Sequence, residues 1–323
     1  MVRPAALDPS PLRPDVRADA TSAPRTGVVE VNGAFLSYEE QGSGQPVVFV
    51  HGALSDLRVW DPVRNELVRR AEIASRFRLI AYTQRYYGTR QWSDDGARFS
   101  VAAHADDLAT LIATLAAEPV HLVGTSYGGL VAATAAVKNP GMVRSLVLYE
   151  PALVSLLPPE SEDGSAARAD RAAFMAPVMS ALRAGDTIRA ARAMYEAVNQ
   201  LPPGGFDHEP HVVQARVLDN ARTLPLLLPA LSASDMTCEL LKDFVRPTLV
   251  MRGERSQAYY VLINEAIGRC MPQARQVVLN NANHGAPYHD PKAFAAAIFE
   301  FLSKGWFDGA SRSVLRDSER RTS

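Results

Sequence analysis

Along the chain, short and mainly apolar runs alternate with longer stretches in which apolar residues recur every three or four positions, with polar turns between them. Runs of the first kind fill residues 46–50, 77–81, 120–123, 145–149, 247–251 and 275–279, and read as strands buried on both faces. Residues 28–31 and 34–39 instead alternate apolar with polar side chains, the pattern of a leading strand pair. Helical periodicity covers 57–70, 101–117, 127–139, 259–270 and 291–302, and in the second of these Leu108, Leu111, Ile112 and Leu115 share a face. Strands and helices in this alternation predict an α/β fold, a largely parallel sheet covered by helices.

The alternation stops after Pro151, and residues 152–244 read as short helices separated by clusters such as Pro202-Pro203-Gly204-Gly205. The predicted organisation is a core formed by 27–151 and 245–305, interrupted by a helical cap at 152–244. Residues 1–26 hold five prolines among scattered charges, and 306–323 are dominated by Arg, Ser, Asp and Glu, so both ends read as flexible tails.

Composition removes several classes of function. The 323 residues are 47% hydrophobic and 21% charged, as in ordinary globular proteins. A formal net charge of −1 creates no field favouring nucleic acid or an anionic membrane surface, so neither is expected as a partner. No uncharged apolar run is long enough to span a bilayer, and the first 26 residues lack a signal-peptide core, which predicts a cytoplasmic protein. Cys238 and Cys270 form no CxxC pair and are expected as two buried thiols. No HExxH, clustered Asp, paired His or phosphate-binding glycine loop is present, so no metal or cofactor is expected. Oligomeric state is not legible.

The main chemical signal is Gly124-Thr125-Ser126-Tyr127-Gly128-Gly129, a GxSxG run between a predicted strand and a predicted helix. A serine at such a turn is held in a strained conformation that lifts its hydroxyl off the sheet. Glycines two positions either side avoid collision with the neighbouring strand and helix. The helix N-terminus adds partial positive charge beside that hydroxyl. Seven histidines are present, and His284, in Asn281-Ala282-Asn283-His284-Gly285, lies between the last strand and the last helix. Its rival His289 sits with Asp290 and Pro291 at a helix start, a setting that suits capping.

With His51-Gly52 after the third strand, the Ser126 turn and the late His284, the chain resembles the α/β-hydrolase superfamily over about residues 27–302. The resemblance implies a mostly parallel eight-stranded sheet with a helical cap, Ser126 as nucleophile and His284 as base. It also implies an oxyanion hole made by the backbone N–H groups of Ala53 and Tyr127. His51 in that pattern supports its loop. The family usually places an Asp three residues after the Gly that follows the seventh strand, but here the run is Gly253-Glu254-Arg255-Ser256, and a serine cannot offset an imidazolium charge. Glu150, directly after the sixth strand, is the preferred acid, with Glu254 as the rival; otherwise Glu150 is a carboxylate bonded to nearby backbone N–H groups and Glu254 an ordinary loop acid.

Where many relatives carry Asp-x-Arg-Gly-x-Gly, this chain has Thr83-Gln84-Arg85-Tyr86-Tyr87-Gly88. Arg85 either pairs with an anionic substrate or forms a structural salt bridge. Trp60, Tyr86, Tyr87 and Trp92 either wall a pocket or pack loops together. In the cap, Phe174, Met175, Met179, Met194, Tyr195 and the apolar run 224–228 mostly seat the cap on the core, with Met179 and Tyr195 taken as pocket residues. The reading that follows is a cofactor-free hydrolase of a small, apolar carboxylic ester or lactone, using a Ser126–His284–Glu150 triad. Two alternatives remain open, a lyase or cofactor-free oxygenase on the same scaffold and a slow ligand sensor. A serine nucleophile argues against the epoxide hydrolase and dehalogenase branches, which use a carboxylate.

Overall fold

A computed structural model describes residues 23–303. The expected tails at 1–26 and 306–323 therefore lie mostly outside the described residues, but Arg25 and Thr26 do not belong to a tail. They begin β1 (Arg25–Val31), which pairs antiparallel with β2 (Ala34–Gly42). Then follow β3 (Gln45–Val50), a 3-10 turn at Leu57–Trp60, α1 (Asp61–Val68), α2 (Ala71–Arg76) and β4 (Phe77–Tyr82). The next units are α3 (Val101–Leu115), β5 (Val120–Thr125), α4 (Ser126–Lys138) and β6 (Val143–Tyr149).

The eight strands form one sheet in the order β1-β2-β4-β3-β5-β6, completed by β7 (Thr248–Gly253) and β8 (Arg275–Leu279). Every neighbour pair from β4 to β8 is parallel, and only the β1–β2 and β2–β4 pairs are antiparallel. Parallel strands need a covered crossover, and the apolar faces are buried in two layers accordingly. One layer holds Val48, Leu122 and Leu130; the other holds Phe49, Trp60 and Phe294.

Between β6 and β7 the chain forms α5 (Glu162–Arg183), α6 (Thr187–Asn199), α7 (His211–Asp219), α8 (Leu224–Ser232) and α9 (Cys238–Lys242). After β7 come α10 (Ala258–Cys270), and after β8 α11 (Ala286–His289) and α12 (Pro291–Ser303).

Two expectations are corrected. Residues 57–70 are not one helix: the Asp56 carboxylate accepts the Arg58 N–H to cap a short 3-10 turn, and Pro62 opens a new helix in its first turn. Nor are the cysteines thiols, since Cys238 and Cys270 form a disulfide with a Cα–Cα separation of 5.1 Å, joining the start of α9 to the end of α10. Disulfides persist in oxidising compartments, so this bond weighs against the cytoplasmic setting expected from the sequence. Among the described residues no helix is long and apolar enough to cross a membrane.

Candidate active site

Ser126 stands where β5 ends and α4 begins, with a backbone φ of 52° in the left-handed region that disfavours a side chain. The glycines around it are dictated by contact. A Cβ at Gly128 would lie 2.2 Å from the His51 carbonyl oxygen, and one at Gly124 would lie 2.7 Å from that of Gly128. No side chain fits either place, so β5, α4 and the loop after β3 can close tightly enough to expose the serine. The Ser126 carbonyl accepts the Ala152 N–H at 3.0 Å, which ties the turn to the chain leaving β6.

The loop after β3 is braced by His51. Its Nε2 accepts the Gln84 backbone N–H at 3.0 Å, so the proton sits on Nδ1, 2.8 Å from the Gly52 carbonyl oxygen. Burial, the largest influence, lowers the His51 pKa to about 4. A neutral ring committed to two backbone contacts holds Gly52 and Ala53 beside Ser126. Tyr127, the second residue of α4, has one of the N–H groups that a helix start leaves without an internal partner.

Glu150 directly follows β6, is fully buried and also has positive φ, at 42°. Its Oε2 lies 2.6 Å from His284 Nδ1. Its Oε1 accepts the Gly253 N–H at 2.8 Å and the Ser256 hydroxyl. Three donors converge on one carboxylate, which offsets the desolvation of a buried charge. The residue standing where an Asp is usual thus donates to the acid supplied by another strand. Glu254 is engaged differently, accepting the Asn281 N–H at 2.8 Å in an exposed loop.

Because Nδ1 of His284 faces the carboxylate, Nε2 is the nitrogen left to exchange protons. The His284 ring stacks on Tyr260 at 4.2 Å between centroids and 16° between planes. Burial raises the Tyr260 phenol pKa well above its usual value, and that phenol interacts with Ser126. Ser126 and His284 line one cavity without a direct hydrogen bond between them among the described residues, the looser apposition common before substrate binds.

Two cavities meet at Ser126. The first, about 90 Å3, is walled by the Gly52–Ser55 loop, α6, α7 and the chain around His284. The second, about 30 Å3, is walled by Ala53, Tyr127, α5, α8 and α10. Both share Ala53, Ser126, Met194 and Val198.

Of the six side chains expected to contact substrate, Tyr195 lines the first cavity. Trp60 does not, being fully buried on the other side of the sheet with ring centroids 5.2 Å from Phe49 and 6.1 Å from Phe294. Arg85 pairs with Asp107 through two contacts of 2.7 Å, the structural salt bridge rather than a substrate contact. Tyr86 and Tyr87 border a separate hollow that excludes Ser126. Tyr86 has a φ of 71°, which accounts for the glycine usual there, and its hydroxyl donates to Asp94 at 3.0 Å. Met179 lines neither cavity and is 39% exposed on α5.

Among the residues that sequence reasoning missed are Arg216, Tyr260 and Tyr288, and Arg171 on α5, which lines the second cavity. Arg216 and Tyr288 line the first cavity, and Tyr260 the second. None lies in a motif, and only the folding of α5, α7, α10 and α11 toward Ser126 brings them there. Among the described residues no group of three or more His, Cys, Asp or Glu is placed to hold a metal ion.

Comparison with known proteins agrees with this architecture. A curated 2-(acetamidomethylene)succinate hydrolase of Mesorhizobium japonicum is 29% identical over 286 residues, covering 85% of this chain and 94% of the relative. The solved esterase RhEst1 from a Rhodococcus species superposes with a TM-score of 0.65 at 25% identity, over 88% of this chain and 99% of that one. The enol-lactonase from Burkholderia xenovorans superposes at 0.68 with 21% identity, over 86% and 100%. The model of the alpha/beta hydrolase family matches residues 47–297, and the chain belongs to that family.

Proposed function

We propose that the protein is a serine hydrolase that cleaves carboxylic esters or lactones through an acyl-enzyme intermediate. The observation that carries this reading is the 2.6 Å contact between His284 Nδ1 and a fully buried Glu150, with Ser126 at its strained turn on the same cavity. The relatives support it by their activities, a hydrolase, an esterase and an enol-lactonase among them.

In this mechanism Ser126 Oγ attacks the carbonyl carbon while His284 Nε2 takes the hydroxyl proton. Glu150 holds the ring and balances the imidazolium charge. The carbonyl oxygen becomes an oxyanion held by the N–H groups of Ala53 and Tyr127, where the loss of one donor is worth about 3–4 kcal/mol in other hydrolases. Collapse breaks the C–O bond to the alcohol, which leaves with the proton from His284. A water then repeats the sequence on the acyl-enzyme, giving the acid and free Ser126. A lactone follows the same course, its alcohol remaining attached to the acyl chain. Helices α5 to α9 serve as the cap that divides the cavity into two lobes, one for each side of the scissile bond.

Ser126→Ala tests the assignment. Hydrolysis of p-nitrophenyl esters should fall by at least about a thousandfold, with an unchanged circular dichroism spectrum, as for the loss of a serine nucleophile. Turnover retained within tenfold would remove Ser126 from this role.

A further inference from the structure

The first cavity contains a buried cation with no direct ion-pair partner among the described residues. Arg216, on α7, is 3% exposed, and its Nε and Nη1 are buried without a hydrogen-bond partner. Among the described residues it joins no ion pair, and its guanidinium carbon lies 4.9 Å from the ring centroid of Tyr288, another wall of the same cavity. Other buried arginines are neutralised within the protein. Arg85 pairs with Asp107, and Arg64 with Glu39 and Asp61.

Asp56 acts on Arg216 electrostatically but is already committed. Its Oδ1 accepts from the backbone N–H and Nε of Arg58, and its Oδ2 from Arg58 Nη2 and Asn220 Nδ2. Desolvation, the largest influence, lowers the Arg216 pKa from its usual value, although an arginine there still stays charged. A buried charge left unpaired is costly, and its position on the wall beside Ser126 gives that cost a purpose.

We propose that Arg216 anchors a carboxylate of the substrate, so that the ester or lactone cleaved at Ser126 carries a free carboxylate elsewhere in the same molecule. This rests on the hydrolase reading and narrows its substrate class, adding a charge to the apolar ester or lactone expected from the sequence. A guanidinium offers a planar fork that matches a carboxylate through two parallel hydrogen bonds. The wall of this first cavity includes no second Arg and no Lys, the other arginine near Ser126 being Arg171 on α5 in the second cavity, so within the first lobe a single guanidinium suits a monoanionic carboxylate better than a dianionic phosphate. The apolar neighbours Leu54, Val59, Met194 and Val217 lower the local dielectric and strengthen the pairing.

The test compares wild type, Arg216→Met and Arg216→Lys on mono-p-nitrophenyl esters of succinate, glutarate and adipate. Each is matched with a p-nitrophenyl ester in which an isopropyl group replaces the free carboxylate. For the best chain length, kcat/KM in wild type should favour the acid over its neutral match by about 10- to 100-fold, the usual range for a hydrogen bond to a charged group. That preference should vanish in Arg216→Met and be partial in Arg216→Lys, which keeps charge but loses the fork. Melting of the ligand-free proteins separates a binding role from a structural one. Arg216→Met should melt no lower than wild type, because it removes a buried charge that has no direct ion-pair partner, whereas a structural arginine would lower the melting point. If the Met variant fails to fold, the Lys variant carries the comparison.

Succinate, glutarate and adipate themselves, assayed as stabilising ligands without turnover, keep this inference separate from the hydrolase reading. Stabilisation in wild type that disappears in Arg216→Met supports the anchor even if no ester is cleaved. Cleavage of both ester series at equal rates with no stabilisation by any diacid overturns the anchor while leaving the hydrolase intact. An acid preference that survives in Arg216→Met also overturns it.

Discussion

The proposed triad turns on Glu150, which stands outside the position where the family usually carries its acid. Its carboxylate reaches His284 from the end of β6, while Ser256 at the usual acid position donates a hydrogen bond to it. Glu150→Gln should therefore lower kcat/KM by about 10^3- to 10^4-fold, the scale seen when a triad acid becomes an amide. Glu254→Gln, which touches only the Asn281 N–H, should stay within tenfold of wild type. Steady-state kinetics on one ester decides the ranking, and the reverse order would move the acid to the loop after β7. The positions of Ser126, His284 and Glu150 near one another were legible because each follows a recognisable strand and emerges at the same edge of the sheet. Arg216 was not legible, because on α7 it resembles any polar helix residue and becomes significant only when folding buries it beside Ser126. Trp60 misled for the complementary reason: a large aromatic suits a pocket wall or a core equally, and the side of the sheet decides between them.

At the scale of elements, the strands were the most legible part. Runs buried on both faces, such as Val47–Val50 in β3 and the whole of β5, are too short for an ordinary helix and suit a strand covered on both sides. Residues 57–70 were harder, because the apolar spacing continues through Pro62 although the backbone restarts there. The Cys238–Cys270 bond was not readable from two isolated cysteines 32 positions apart, since their approach depends on α9 packing against α10. Closing a loop of that length stabilises the folded chain by about 3–4 kcal/mol through the unfolded state. Urea unfolding of a Cys238→Ser, Cys270→Ser double variant should show a loss of that order. A loss below about 0.5 kcal/mol would mean that the bond contributes nothing to stability. Because α9 ends the insertion and α10 supplies Tyr260 beside His284, the same bond steadies the wall of the site.

At the scale of the whole molecule, three histidines make stability depend on pH. Burial is the largest influence on each, lowering His51 to about 4 and His104 and His121 to about 3. In the unfolded chain each titrates near 6.5, so between about pH 6.5 and 4 the unfolded state binds protons that the folded state refuses. Stability is then fully present above pH 6.5 and falls as pH drops, by about 1.4 kcal/mol per pH unit for each histidine. Melting temperatures should decline steadily from pH 7 to pH 4.5, and a flat profile would show that these rings are not buried neutral. The assembled account predicts one activated serine in the entire chain, and intact-mass spectrometry after treatment with a fluorophosphonate tests that most directly. Wild type should gain one adduct, Ser126→Ala none, and Glu150→Gln the same adduct at a much lower rate. A folded wild type that remains unlabelled, or an adduct that persists in Ser126→Ala, would contradict it.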